Sequence, residues 1–144
     1  MTAAKASIGP LPAGPAAASI AFVLGADVQG TTIWDVLAAT RAVCPALVAG
    51  DRHAIGSPVP LPAADLRLLG VVLEHNGEVV ATAAAGGKIG HPAAAIAELA
   101  PLKAGDIVVA GPLASVAEVK AGDVLVASVA RIGTIEAAVQ GDAT

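Results

Sequence analysis

Aromatic side chains are almost missing: the 144 residues hold one phenylalanine, Phe22, one tryptophan, Trp34, and no tyrosine. Charge is scarce too, at 14% of residues, with 8 Lys+Arg against 12 Asp+Glu and a net charge of −4. Single-stranded nucleic acid is bound on aromatic platforms, and phosphates are tracked by a basic surface. With neither present, nucleic acid is not an expected partner. Cys44, the single cysteine, precedes Pro45 in an apolar run. It excludes a disulfide framework and a multi-cysteine zinc site, and reads as a small buried hydrophobe. A reducing cytoplasm is the expected setting.

Long apolar runs are also lacking, although 56% of residues are hydrophobic and alanine alone supplies about a quarter. Residues 6–26 carry no charge, but Pro10, Pro12, Pro15, Gly9 and Gly14 interrupt them, and only Ile20 to Leu24 is strongly apolar. A spanning helix needs about 20 apolar residues, and an export signal an unbroken apolar core behind a basic start. Neither a membrane segment nor a signal peptide is expected. High hydrophobicity with low charge argues for a folded chain, and this length fits one domain with a core of its own.

Residues 1–18 read as a flexible Pro/Ala-rich lead-in, residues 19–140 as one compact domain, and 141–144 as a tail. Ser19 to Leu24 is a strand stopped by Gly25. Thr32 followed by Asp35 is a capping-box variant, and Ile33, Val36, Leu37 and Thr40 share one face, so a helix starts here. Pro45 is read as its end, and Asp51 to Pro62 as a loop. Asn76-Gly77 between two apolar segments accepts the positive φ angles of a type I′ turn and predicts a β-hairpin over residues 69–82. His91-Pro92 opens a second helix, proline being preorganised at the first helical position. Lys103-Ala104-Gly105-Asp106 and Lys120-Ala121-Gly122-Asp123 are matching turns, each before a β-branched strand, and Ile132 to Val139 is a last strand. About six strands and two short helices make a β-rich α+β domain.

Side chains able to do chemistry are dispersed. His75 is expected to be exposed beside the hairpin turn, with Glu74 and Glu78 facing each other across its mouth. His91 caps its helix, Glu98 points outward, and Asp106 and Asp123 satisfy donors of their own turns. No two histidines stand at helical spacing. Lys88 in Gly86-Gly87-Lys88-Ile89-Gly90 is not followed by Ser or Thr, as a phosphate loop requires. Asp51-Arg52-His53 is the one polar cluster able to bind an anion or orient a base.

Several stretches, in order, resemble the 2-keto-4-pentenoate hydratase and 4-oxalocrotonate decarboxylase group of the fumarylacetoacetate hydrolase superfamily. They are Ile20-Ala21-Phe22-Val23-Leu24-Gly25, Val36 to Thr40 leading to Val43-Cys44-Pro45-Ala46-Leu47, Asp65-Leu66-Arg67 with Gly70 to Val80, Gly90-His91-Pro92, and Ala104-Gly105-Asp106-Ile107 with the later Ala121-Gly122-Asp123. The resemblance implies a mixed β-roll or barrel that holds Mg²⁺ or Mn²⁺ through three carboxylates and hydrates or decarboxylates 2-oxo or 2-hydroxydienoate acids. It places those carboxylates at Ala17, Ser19 and Val48, none of them acidic here. Arg52 and His53 depart from the Ser-Arg that usually follows the aspartate matched by Asp51, and Gly111-Pro112 replaces a substrate-facing Gly-Ser. The family's N-terminal helical part, with its lysine, has no counterpart ahead of residue 19, and the loop from Asp51 to Asp65 is short.

The resemblance thus implies a catalytically degenerate protein needing no cofactor, which serves as an assembly subunit or binds a small organic acid. Asp51, Arg52 and His53 are its candidate binding residues, with Arg52 as anchor. The expected partners are a second copy, a full-length homologue or a pathway enzyme. The alternative is an active hydratase or decarboxylase of an aromatic or sterol catabolic pathway.

Overall fold

The structure, a computed structural model, describes residues 3–87 and 90–140. The expected tail 141–144, and Lys88 and Ile89 of the glycine-rich stretch, lie outside the described residues. Ten strands and two short helices follow one another: β1 Ala4–Lys5, β2 Gly14–Leu24, α1 Ile33–Ala39, β3 Thr40–Ala49, β4 Arg52–Ile55, β5 Gly70–His75, β6 Glu78–Ala84, α2 Pro92–Ala97, β7 Ile107–Val109, β8 Ala114–Val119, β9 Val124–Val129 and β10 Gly133–Ala138. The β-rich α+β class with two short helices therefore holds, with more strands than the sequence suggests.

Two curled sheets face each other. The first runs β1-β7-β2-β3-β4; β8 also pairs with β2, along the stretch that β7 leaves open. The second runs β10-β9-β5-β6. Pairings between these strands are antiparallel, and the isolated bridges Ile8–His53 and Leu11–Val139 are parallel. Side chains alternate across a strand. Ala16, Ala18, Ile20, Phe22 and Leu24 of β2 accordingly enter the core with Val71 and Leu73 of β5 and Leu125 and Ala127 of β9. The opposite face of the same sheet carries Ala21 of β2 and Cys44, Ala46 and Val48 of β3, a second, smaller apolar cluster.

The local signals translate directly. Thr32 and Asp35 form a full capping box at α1. Asn76 and Gly77 take φ angles of 53° and 85° at the hairpin turn. His91 caps α2, its Nδ1 accepting the Ala93 N–H at 3.0 Å, with Pro92 at the first helical position. Asp106 and Asp123 each accept the N–H of the lysine three residues earlier. Glu98 is exposed and Cys44 buried, as expected.

Other expectations need correction. The lead-in is not wholly irregular: residues 4–5 form β1, and β2 begins at Gly14, with Pro15 at a register shift where a missing N–H is tolerated. Pro45 does not end α1, which stops at Ala39; it lies inside β3. An antiparallel residue points its N–H and C=O toward the same neighbour. The Pro45 carbonyl accepts from Gly56, just past the end of β4, so no ladder bond is lost there. Part of the expected 51–62 loop is β4. His75 is half-buried, its Nε2 lying 2.7 Å from Asp123 Oδ2. Glu78 pairs with His75 rather than with Glu74, because the two-residue Asn76-Gly77 turn sets positions 75 and 78 opposite each other.

Candidate functional site

The site is the smaller apolar face of the first sheet. The register sets Ala17 opposite Val48 and Ser19 opposite Ala46, and β4 sets His53 opposite Val48. Ala17 and Ser19 are fully buried and Val48 nearly so. The Ser19 hydroxyl lies 2.8 Å from both the Ala110 and Gly111 carbonyls, so its single proton is shared within the protein. A cavity of about 160 Å³ opens beside this face, lined by Ala4, Lys5, Val48, Gly50, Asp51, His53, Ala110, Gly111 and Pro112.

His53 is held from the chain's first residues. The Ser7 N–H donates to its Nδ1 at 2.9 Å, and its own N–H donates to the Ser7 carbonyl at 2.9 Å. The ring is therefore neutral at Nδ1 and carries its proton on Nε2. Burial pushes its pKa below the ordinary 6.5, opposed by the Asp51 carboxylate. Lys5 reaches the same cavity while its ammonium pairs with Asp106 at 3.4 Å. Hydrogen bonds from the turn backbone at Lys103, and then Lys5, hold Asp106 below the usual carboxylate range.

The structure brings Asp51 and His53 to this cavity but not Arg52. Consecutive side chains on a strand point to opposite faces, and with His53 turned to the cavity Arg52 is not among its lining residues. Arg52 turns outward, its Nη1 donating to Ser7 Oγ at 3.1 Å and its Nε 3.8 Å from a mostly exposed Asp51. The cation that does line the cavity is Lys5. Sequence reasoning missed it because the stretch around it has no period or motif; only the pairing of β1 with β7 brings it there.

A hard divalent cation needs several oxygen ligands. This face offers two alkyl side chains and one hydroxyl already engaged with carbonyls, with Asp51 alone at the rim. Among the described residues no three His, Cys, Asp or Glu side chains converge on a point. The residues present do not fit such a metal. They suit an acceptor-bearing small ligand, with His53 Nε2–H and the Lys5 ammonium as donors.

Residues 18–140 match the fumarylacetoacetate (FAA) hydrolase C-terminal domain family. The chain belongs to this family. Within the FAA hydrolase family, 49 residues are 53% identical to 4-oxalocrotonate decarboxylase of Pseudomonas sp. strain CF600, covering 33% of this chain and 19% of that protein. Two structures of 4-oxalocrotonate decarboxylase from Pseudomonas putida G7 superpose with TM-scores of 0.80 over 94% of this chain. One is complexed with calcium and acetate at 26% identity, the other with magnesium and adipate at 25% identity. A 5-carboxymethyl-2-hydroxymuconate delta-isomerase from Mycobacterium smegmatis shares the fold at 15% identity and TM-score 0.73. This FAA hydrolase chain spans 64% and 65% of the two decarboxylase structures. No helix among its described residues is long and apolar enough to cross a membrane.

Proposed function

We propose that this FAA hydrolase chain is a catalytically degenerate, hydratase-like member of its family, needing no metal and working as an assembly subunit or small-acid binder. One observation carries the reading. The sheet face where the family resemblance puts three carboxylates holds Ala17, Ser19 and Val48, with the Ser19 hydroxyl committed to Ala110 and Gly111. Acid binding draws support from the cavity beside it, where Lys5 and His53 stand on an otherwise apolar wall. The proposal takes in a cytoplasmic setting, in keeping with a free, buried Cys44. Calorimetry with Mg²⁺ and Mn²⁺, run beside a 2-hydroxydienoate turnover assay, tests it. The expected result is neither binding nor turnover; stoichiometric micromolar metal binding with turnover overturns it.

The stretch 53% identical to a 4-oxalocrotonate decarboxylase supports a second reading, an active lyase on 2-hydroxydienoate or 2-oxo acids in aromatic or sterol catabolism. That reading needs replacement ligands from this chain or ligands from a partner chain. Turnover by the chain with added metal, or turnover in a mixture above that of a full-length homologue alone, distinguishes it from the first.

A further inference from the structure

A second cavity, of about 340 Å³, shares no lining residue with the His53 cavity and lies between α1 and the start of α2. Its size falls in the range of small-molecule sites. Ile33, Trp34 and Leu37 of α1 and Ala64 form its apolar walls. Its other end is polar: Asp65, Arg67 and His91. Trp34 is 77% exposed, an unusual placement for the chain's single indole, and it lines the cavity.

The polar end is built. Arg67 grips Asp65 through Nε at 3.0 Å and Nη2 at 2.7 Å, while its Nη1 has no hydrogen bond among the described residues. Nδ1 of His91 accepts the Ala93 N–H, so its proton resides on Nε2. Burial, with the Arg67 charge, favours the neutral ring, and Asp65 opposes. The Arg67 backbone is pinned by the Gly86 N–H at 2.9 Å, and a Cβ on Gly86 would come within 2.6 Å of the Arg67 Cβ. Two kinds of donor thus remain beside a cation whose charge Asp65 already balances.

We propose that this cleft binds a ring-sized apolar molecule ending in an uncharged carbonyl, such as an aromatic carboxamide. The ring stacks on Trp34 between Ile33 and Leu37, and the carbonyl oxygen accepts from Arg67 Nη1 and His91 Nε2. A carboxylate end is disfavoured, because Asp65 leaves no net positive charge to balance it and the chain carries −4. The proposal does not depend on the metal-free reading of the other face.

Trp34 makes the test direct, since it is the chain's one indole and there is no tyrosine. Benzamide, benzoate and toluene are titrated against the full chain, following tryptophan fluorescence with calorimetry as a second readout. Benzamide is expected to give a saturable change, with toluene roughly tenfold weaker, as loss of a hydrogen bond to a charged donor implies, and benzoate weaker because Asp65 already balances the Arg67 charge. Arg67→Gln should weaken benzamide by about the same factor, and Ala64→Leu, which fills the cleft, should abolish the change while the melting curve stays cooperative. No saturable response to benzamide, or toluene binding equally well, overturns the proposal without recourse to any variant. Benzoate binding more tightly overturns the uncharged end. A fluorescence change on dilution alone assigns Trp34 to a contact between copies and overturns it too.

Discussion

The backbone N–H of Ser7 donates to Nδ1 of His53 across 2.9 Å, so a residue ahead of the first long strand sets the tautomer of a buried imidazole. Protonation would put a donor where a donor already points. It would loosen the segment that supplies Ala4 and Lys5 to the cavity. That one contact ties the fold's first residues to the site's titration.

Stability should therefore fall on mild acidification. His53 and His91 both have pKa values depressed by burial below 6.5, so the unfolded chain binds more protons than the folded one just below that pH. Their contribution is complete above 6.5 and is lost as pH falls through the lower folded values. Melting temperature should drop as pH falls below about 6.5, and His53→Asn, which keeps an acceptor, should flatten part of that drop. A wild-type profile flat over this window removes the argument.

Acid unfolding should show a second, separate phase. Asp65 and Asp123 are held at about 2, Asp65 chiefly by Arg67 and Asp123 by the Lys120 N–H, His75 and Asn76. Their contribution is intact above the ordinary 3.8 and disappears as pH falls toward 2. Asp123→Asn should lower the melting temperature at pH 7 by several degrees and abolish its share of this phase. An unchanged acid limb in that variant speaks against it.

Ser19→Ala should cost about 1 kcal/mol, the usual net value of a buried hydrogen bond, by leaving the Ala110 and Gly111 carbonyls short of a donor. It should leave Mg²⁺ titrations as blank as in the wild type. Urea denaturation and calorimetry on the same preparation check both halves. A metal heat that vanishes in the variant would make Ser19 a ligand instead.

Two glycines should fail for different reasons. Gly77 sits at φ 85° with open space around a would-be Cβ, so Gly77→Ala should cost about 1 kcal/mol of backbone strain alone. Gly86 needs no special φ but is crowded by Arg67, so Gly86→Ala should cost about 2 kcal/mol and disturb that side chain. Equal losses in urea denaturation, both with native tryptophan fluorescence, would contradict the distinction.

Self-association should run through β6. Among the described residues this strand pairs only with β5, and it exposes Val79 and Val80. An unpaired, weakly charged edge accepts another strand. Light scattering at high micromolar concentration should report more than a monomer, and Val80→Lys should shift it back. A strict monomer in the wild type refutes this.

The sequence by itself determined what depends on contacts three or four residues apart. The Thr32–Asp35 box, the Asn76-Gly77 turn, the His91-Pro92 helix start and the two Lys-Ala-Gly-Asp turns close within their own segments, and all stand where the residues imply. The ordered family stretches likewise carried the fold, but the division of β2 and β3 into a core face and a site face came only with the structure, since residues up to Pro45 read as helix. Tertiary structure decided the rest. Short stretches with little periodic contrast do not tell strand from loop, so β1, β4 and β8 exist only through their ladders. The site's membership was settled in the same way. Strand alternation turned Arg52 outward, and the pairing of β1 with β7 delivered Lys5, because which charge meets which cavity is fixed by register across 40 or more residues and by nothing local.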